Sequence, residues 1–307
     1  MADGRSRAWL WGLIAGGAFF LFFLAIFSLV YLSVRSGEQN AEYGGHGDKI
    51  GVVDLEGVIV DAEQTVKRLK KFADDDSIKA IILHVNTPGG GAAASEEITR
   101  EVRRIRTEKK KRIVASIETV GASGGYYVSS ATDKIFADEA SVVGSIGVIA
   151  EWVNYGDLLR WAKLKDVVIK AGEFKDTGDP ARDLTPAERA YLQGMIDDMH
   201  TQFIRAVADG RKMKVEDVRS IANGKVWTGA QAVSLKLVDQ IGDFQEAVKD
   251  TAKAVGIKGE PTLVKPEKPH YSLLDLIFGD ASEALPNPSK LMQPNIGFYY
   301  LWRVRAK

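Results

Sequence analysis

The pattern of apolar and polar residues divides the chain into one long apolar segment and a series of short ones. Residues 8–34 (AWLWGLIAGGAFFLFFLAIFSLVYLSV) contain no charged side chain. At a rise of about 1.5 Å per residue they can cross a hydrocarbon core of roughly 30 Å, so they predict a transmembrane anchor rather than a cleaved signal peptide or a buried core helix. Arg5 and Arg7 favour a cytoplasmic N-terminus, with the rest of the chain outside the cytoplasm.

Four short apolar segments rich in β-branched residues follow, as expected for strands that are buried on both faces of a sheet. They comprise residues 50–53, 80–85, 113–117 and 134–137. Between the second and the third, residues 95–107 place apolar side chains at helical spacing, which predicts an amphipathic crossover helix. Strand, helix and strand at this spacing predict a mostly parallel sheet and an α/β fold.

Helical patterns dominate the next part of the chain. Thr185, Pro186 and Glu188 form a capping-box sequence that predicts a helix to about residue 209. Further helical patterns cover residues 215–222, 229–235 and 244–255. We divide the chain into a cytoplasmic stub with the anchor (1–35), a polar linker (36–49), a folded domain (50–258) and a C-terminal extension (259–307).

Composition narrows the possible chemistry. The chain has 41 Lys and Arg against 41 Asp and Glu, so it lacks the excess positive charge that nucleic-acid binding needs. It contains no Cys, which excludes disulfides, a thiolate nucleophile and Cys-ligated metal centres. Histidines are few, and they are His46, His84, His200 and His270.

Two glycine-rich segments directly follow predicted strands. NTPGGG at 86–91 can aim backbone N–H groups at an anion or a developing oxyanion, because glycine permits close backbone approach. GASGGYY at 121–127 places Ser123 on a tight turn before a helical stretch, in a G-x-S-x-G pattern. Either segment could instead be an ordinary strand-to-helix turn. Two such turns can converge on one crevice at the carboxyl edge of the sheet, with Ser123 as a nucleophile.

A serine nucleophile needs a base, and the histidines offer few choices. His84 lies in an apolar strand, whereas His46 and His270 lie in the linker and the C-terminal extension. This leaves His200, on the predicted long helix, as the plausible histidine base. A lysine can serve instead where burial or neighbouring cations hold its amine neutral, but composition does not choose among the many lysines.

Several motifs, in this order, resemble those of the short form of bacterial signal peptide peptidase A, a family of membrane-anchored Ser–Lys peptidases. These motifs are TPGGG (87–91), GASGGYYVSS (121–130), VGSIGV (143–148), IKAGEFKDTGDP (169–180) and GKVWTGAQAVSLKLVDQIG (224–242). The resemblance covers about residues 50–255. It implies a fold related to the Clp protease subunit and to crotonases, and it requires no metal or other cofactor.

The resemblance, carried over motif by motif, implies the roles of four side chains. Ser123 is the nucleophile and Lys175 the general base, while Ser145 orients the Lys175 amine through a hydrogen bond. Lys170, in the same segment, is the rival base, and its place after an apolar run suggests the end of a strand. In short-form relatives the Ser and the Lys come from adjacent protomers of a ring-like homo-oligomer, which the resemblance implies here too.

The implied oxyanion donors are the backbone N–H groups of Gly124 and Gly90, and Gly89 could replace Gly90. Thr87 stands where the family usually has Ser, a departure that touches none of the implied catalytic groups.

The implied substrates are remnant signal peptides and other short or unfolded peptides, and the resemblance implies no nucleic-acid partner. Residues 8–34 would contact the lipid bilayer of the inner membrane, with the catalytic domain in the periplasm. We expect an extended substrate to add to a sheet edge, with apolar pockets for small or aliphatic side chains. The apolar stretch 296–302 (IGFYYLW) could pack on a neighbouring protomer, touch the membrane or enter an active site as a substrate-like peptide.

Two alternatives from other functional classes remain at this point. An α/β-hydrolase-type esterase would use His200 or His270 as its base, after Ser123 in the chain. A non-catalytic membrane scaffold with a crotonase-like fold would bind partners without hydrolysing them.

Overall fold

The structure is a computed structural model that describes residues 17, 19, 21–24, 40–45, 47–266 and 298–302. Contacts group the chain into two units, Met1–Ala41 with Pro266–His270, and Glu42–Lys265 with Tyr271–Lys307. In the first unit residues 21–24 are helical and exposed. Within the described part of the chain, no helix is both long and apolar enough to span a bilayer. Most of the anchor predicted at 8–34, like His46 and His270, lies outside the described residues.

An 11-stranded sheet organises the fold. Its strands are β1 (Asn40–Gly44), β2 (Lys49–Ile59), β3 (Ile78–Gly91), β4 (Arg112–Ala122), β5 (Lys134–Ala137), β6 (Val142–Gly144), β7 (Ile149–Ala150), β8 (Val226–Thr228), β9 (Gln240–Ile241), β10 (Thr262–Pro266) and β11 (Phe298–Leu301). The main path runs β1-β10-β2-β3-β4-β5-β9, while β6 and β8 branch from β4, and β11 and β7 branch from β3. Strands β10, β2, β3, β4, β5 and β9 pair in parallel, which confirms the predicted α/β fold with a mostly parallel sheet.

Eight α-helices are described around this sheet. They are α1 (Glu63–Asp74), α2 (Ala92–Arg104), α3 (Gly124–Ser129), α4 (Gly156–Trp161), α5 (Pro186–Arg211), α6 (Val215–Ile221), α7 (Gly229–Ser234) and α8 (Phe244–Ala254). The predicted capping box opens α5, because the Thr185 hydroxyl accepts from the Glu188 N–H at 3.2 Å and the Glu188 carboxylate accepts from the Thr185 N–H at 2.8 Å. The crossover helix α2 begins at Ala92, earlier than predicted, and continues as a π-helical turn over Ile105–Lys109.

The central strands are buried on both faces, as their continuous apolar patterns predict. On one face Leu83 of β3 packs in a large cluster with residues of α1, α2, α3 and α5. On the other face Ile82 packs in a smaller cluster with Val248 and Ala252 of α8. Helices on both faces therefore fix the central strands, and the strand ends that carry the glycine motifs are held on a rigid base.

One predicted turn is a strand in the structure. We interpreted residues 86–91 as a glycine-rich turn after a strand that ends at residue 85, whereas β3 continues to Gly91. The reason is pairing on both sides, because β2 pairs with Gly89 and Gly90 through Val58 and Ile59, and β11 pairs with Gly89–Gly91. The backbone groups of the glycine motif are therefore aligned by strand pairing.

The predicted strand end at Lys170 is also wrong. Residues 164–170 form no helix or strand. Their apolar side chains are exposed, with Ile169 at 97% of full exposure, because no strand of the described chain pairs with them.

Candidate active site

A cavity of about 940 Å³ lies at the carboxyl ends of β4 and β6. Ser123 and Ser145 line it, as do residues 146–151, Gln193, Ile196, Asp197, His200, residues 222–224, Leu301 and Trp302. Ser123 follows the last residue of β4 and precedes α3, while Ser145 follows the last residue of β6. The parallel pairing of β4 with β6 thus places these two sequence-predicted residues on one wall.

Ser123 has a backbone conformation that is rare for a residue with a side chain. Its φ of 52° and ψ of −116° lie in a region mainly visited by glycine. Two hydrogen bonds hold it there, because the Ser123 N–H donates to the Gly144 carbonyl at 2.7 Å and the Ser123 carbonyl accepts from the Tyr127 N–H at 2.8 Å. The side chain is nearly fully buried in this chain but borders the cavity, which suits a hydroxyl presented at a sharp turn.

Ser145 is held in a similar way beside it. Its φ is also 52°, and its N–H donates to the Lys225 carbonyl at 2.8 Å. Gly144 links the two serines, since it precedes Ser145 in the chain and accepts the Ser123 N–H. The two hydroxyl-bearing residues therefore belong to one hydrogen-bonded arrangement at the ends of β4 and β6.

The C-terminal strand β11 lies directly in this site. It pairs antiparallel with β3 on one side, with Tyr300 opposite Gly90, and with β7 on the other. The Trp302 N–H donates to the Pro88 carbonyl at 2.8 Å. Hydrogen-bonded pairs recur every second residue in an antiparallel ladder, so Gly90 directs its N–H at the Tyr300 carbonyl.

Glycine is required where the Tyr300 carbonyl approaches the end of β3 and the start of α3. A Cβ on Gly89, whose φ is +97°, would collide with the Tyr300 carbonyl oxygen. A Cβ on Gly124 would lie 3.1 Å from that oxygen and 3.2 Å from the Gly90 nitrogen. The three glycines predicted as oxyanion donors therefore surround one carbonyl oxygen of an extended peptide.

Thr87 stabilises the end of β3 through its hydroxyl group. Its hydroxyl accepts the Gly89 N–H at 3.0 Å and donates to the Gly57 carbonyl. The Gly89 N–H is thus already bonded within the chain, so the expectation that Gly89 could replace Gly90 as an oxyanion donor is wrong. The expectation that Thr87 touches none of the implied catalytic groups is wrong for the same reason.

Lys175 and Lys170 lie apart from the cavity. Both are exposed, and neither is among the residues that line the cavity around Ser123. Lys170 forms an ion pair with Asp176 and donates to the Glu173 carbonyl at 2.8 Å. Within the described residues of one chain, the structure does not bring either lysine to Ser123.

The segment that carries Lys175 is anchored to the start of α5. Arg182 donates to both carboxylate oxygens of Glu188, at 2.6 and 2.9 Å, and lies 3.1 Å from the Asp176 carboxylate. The hydrogen bonds from Arg182 lower the pKa of the Glu188 carboxyl to about 2, and that from Lys170 lowers the pKa of Asp176. The loop around Lys175 is therefore fixed by charge-assisted hydrogen bonds.

The histidine alternative has one supporting observation. His200 lines the same cavity as Ser123, and its buried Nε2 has no hydrogen-bond partner among the described residues. His84 does not reach the cavity lining, and its Nδ1 contacts Asp54 Oδ1 at 3.3 Å.

A potential metal-ligand group exists elsewhere. Asp54, Glu56 and His84 can place one ligand atom each within 4.8 Å of one another. The Asp54 Oδ2 atom, however, lies 2.7 Å from the Lys265 amine, so a cation already neutralises this carboxylate. None of the three residues is among those that line the cavity.

Reasoning from the sequence did not identify Tyr300 as the residue that occupies the site. It also missed Met199 and Phe203, which contact the Tyr300 side chain. The available signal was the apolar stretch 296–302 in an otherwise Pro-punctuated extension. Of the three placements considered for it, entry into an active site agrees with the position of β11.

A parallel α/β fold with a glycine-held serine turn beside an oxyanion-like cradle defines a hydrolase-type site. Residues 105–258 match peptidase family S49. The chain is 37% identical to a candidate protease of Methanocaldococcus jannaschii, over 67% of this chain and 65% of that protein. It is 34% identical to a protein of Enterococcus faecium named as a candidate signal peptide peptidase SppA, over 73% of this chain and 69% of that protein.

The chain is also 35% identical to Protease 4 of Haemophilus influenzae, over 68% of this chain but only 35% of that protein. It therefore spans about two thirds of the first two relatives and about a third of the last. This chain belongs to peptidase family S49. The predicted relation to signal peptide peptidase A and the predicted class, a serine peptidase, are confirmed at the level of the family.

Proposed function

We propose that this chain is a membrane-anchored serine endopeptidase, with a dyad of Ser123 from one protomer and Lys175 from its neighbour. The observation that carries the proposal is the Tyr300 carbonyl, which lies at Gly90 and Gly124 while Leu301 lines the same cavity as Ser123. An extended peptide in this position presents its carbonyl to backbone N–H groups beside a buried serine. Leu301 and Trp302, which follow this carbonyl, both line the cavity, which suits cleavage within a chain.

The proposed reaction has two steps. The Ser123 hydroxyl oxygen attacks the peptide carbonyl carbon while the neutral Lys175 amine takes the hydroxyl proton. The oxyanion accepts hydrogen bonds from Gly90 and Gly124 until the C–N bond breaks, and the leaving amine takes the proton from Lys175. Water then attacks the acyl-enzyme, Lys175 accepts a proton from the water, and the Ser123 oxygen leaves and is reprotonated.

The base must be neutral to act, and burial of the Lys175 amine against a second protomer would favour its neutral form. Lys175 is exposed in the single chain. Large apolar side chains are exposed on the same part of the chain, including Trp161 at 81% and Val153 at 77%. Several large apolar side chains exposed within one segment of the chain are typical of an interface. Packing against a second copy would bury this surface and desolvate Lys175 next to the neighbour's Ser123, where Ser145 orients the amine.

A mixing experiment tests the shared dyad. Ser123→Ala and Lys175→Ala should each abolish hydrolysis of a peptide by the full chain in detergent, whereas Lys170→Ala should retain it. When the two inactive variants are mixed and reassembled in equal amounts, about one quarter of the sites in a head-to-tail ring receive both groups, so about one quarter of the activity should return. No recovery, despite confirmed mixing by mass measurement, would place both groups in one chain.

His200 provides the test of the rival base. Its position in the cavity makes it the alternative to Lys175. Loss of activity in His200→Ala together with full activity in Lys175→Ala would favour the histidine mechanism of an esterase-type hydrolase.

The finer proposals concern the fold class, substrate and location. We propose the Clp protease and crotonase type of fold, with cleaved signal peptides and other unfolded peptides as substrates. We also propose that residues 8–34 anchor the chain in the inner membrane with the domain in the periplasm. Protease added to spheroplasts should digest the domain, and domain protection until the membrane is lysed would contradict the proposed orientation.

A further inference from the structure

A second cavity, of about 660 Å³, is formed by α8, the loop 256–261 and the start of β10. None of the residues that line it lines the cavity around Ser123, so it has no part in the proposed hydrolysis. Its volume lies within the range of about 300–1,000 Å³ that is typical of ligand pockets. The apolar floor of this cavity consists of four buried side chains, which are Val248, Ala252, Ile257 and Leu263.

The rim of the cavity is positively charged. Lys249 and Lys253 lie one turn apart on the same face of α8, and Lys258 follows in the loop. All three side chains are exposed, and none forms an ion pair with another described residue. Against these three amines, the described lining includes one carboxylate, that of Glu260. An apolar floor beneath unpaired cations complements an amphiphile with an acyl chain and an anionic head group.

The path of the chain favours a lipid of the bilayer as this amphiphile. Gly44, the last residue of β1, lines the cavity. Residues 35–43 join Gly44 to the anchor predicted at 8–34, and a fully extended segment of this length reaches at most about 36 Å. The cavity is therefore tethered near the membrane surface, where anionic phospholipid head groups attract lysines.

We propose that this cavity binds one anionic phospholipid of the bilayer, with an acyl chain against the apolar floor and the phosphate between the three rim lysines. Such a lipid would hold the folded domain to the membrane at a second point and restrict its rotation about the linker. The inference rests on the proposed membrane anchor but not on the proposed dyad of Ser123 and Lys175.

Photochemical cross-linking tests the site. The full chain is reconstituted into phosphatidylcholine vesicles that contain a small fraction of phosphatidylglycerol with a photoreactive group at the end of one acyl chain. A parallel sample contains phosphatidylcholine with the same group, and cross-linked residues are mapped by mass spectrometry. We expect cross-links within residues 248–263 from phosphatidylglycerol, at a yield at least about tenfold above that from phosphatidylcholine. An acyl chain that stays in the bilayer cannot reach these residues.

Two double variants connect the cross-links to the rim. Replacing Lys249 and Lys253 with Gln should lower the yield about 25-fold at a lipid fraction that leaves the site mostly empty, because each lysine near an anionic lipid contributes about fivefold. Replacing Lys67 and Lys70 with Gln is the matched control. These two exposed lysines lie one turn apart on α1 and line another cavity, so the yield should not change.

The outcomes separate the lipid site from the other proposals. Cross-links confined to residues 8–34, equal yields from the two lipids, or an equal loss in the control variant would each overturn the site. A chemical cross-link from the rim lysines to a second chain, in place of lipid, would assign the cavity to a protein contact and also overturn it. A chain that alkaline washing removes from the vesicles would overturn the proposed anchor together with the site. Ser123→Ala should keep the cross-links, so failure of the peptidase proposal is detected separately by the hydrolysis assay.

Discussion

Replacing Gly124 with alanine tests the proposed oxyanion site at its narrowest point. The new Cβ would lie 3.1 Å from the Tyr300 carbonyl oxygen and 3.2 Å from the Gly90 nitrogen, whereas ordinary contacts begin at 3.4 Å. The carbonyl must therefore retreat by a few tenths of an ångström from both N–H groups. Loss of one oxyanion donor lowers kcat by about 10²–10³, and we expect an effect of this size.

The experiment needs a second background and a control variant. The background is needed because the new methyl group also meets the Ser95 hydroxyl oxygen. Ser95→Ala removes that oxygen, so Gly124→Ala is made in the Ser95→Ala background and compared with Ser95→Ala alone. Gly147→Ala is the matched control, since Gly147 lines the same cavity but its Cβ would meet Gly224 Cα at an ordinary 3.4 Å. Peptide hydrolysis is measured beside thermal denaturation, which identifies any variant that fails to fold.

The expected result is a double variant that melts near its parent but has lost most of its kcat. Full activity in Gly124→Ala would refute the assignment of this glycine to the oxyanion site. An equal loss in Gly147→Ala would show that the cavity tolerates no added methyl group anywhere, and that the close approach at Gly124 has no special role.

Three further predictions concern strand β11, Ser145 and the segment 170–182 around Lys175. Tyr300→Ala removes the buried anchor of β11, at a cost of about 3–5 kcal/mol to its docking, so cleavage of added peptides should become faster in steady-state assays. Ser145→Ala should lower kcat about tenfold with KM little changed, because the proposed orienting hydrogen bond to Lys175 is lost while substrate pairing is intact. The pKa of Glu188 is lowered to about 2 in the folded chain, so its ionised carboxylate stabilises the loop around Lys175 at any pH above the ordinary carboxyl pKa. This contribution is lost as the pH falls towards 2. Pepsin should therefore cut residues 170–182 increasingly as the pH falls through that range, and Arg182→Met should permit cutting of this segment at neutral pH by other proteases.

The regular part of the fold was accessible from the sequence because local patterns determine it. The strand at residues 134–137 and the helix start after Thr185 follow from a β-branched run and a capping signal, and helical spacing predicts the helix that begins at Phe244. The extension of β3 through Gly91 was not accessible. Glycine and proline oppose strand formation locally, and only pairing with β2 and β11 overrides that preference.

The candidate site likewise contains some residues that local sequence predicts and others that it does not. Ser123 and Gly124 stand out because a serine among glycines after a strand is a local signal. Tyr300 gives no comparable signal, since its partner Gly90 lies in a distant part of the chain and no local spacing links them. Lys175 differs from both, because only the resemblance singles it out among the lysines, and the same resemblance implies that its partner Ser123 lies in a neighbouring protomer.

Binding and cleavage depend on different parts of this structure. Backbone pairing with Gly89–Gly91 is available to any extended peptide, so it holds a substrate without distinguishing its sequence. Discrimination must then come from side-chain pockets, and the pocket of Tyr300 is built by Tyr127 and Phe203 of the same chain. Among the described residues of one chain, the proposed base Lys175 does not reach the cavity. In the proposed mechanism, an isolated protomer would hold a peptide without cutting it, and assembly would start the chemistry by supplying the lysine.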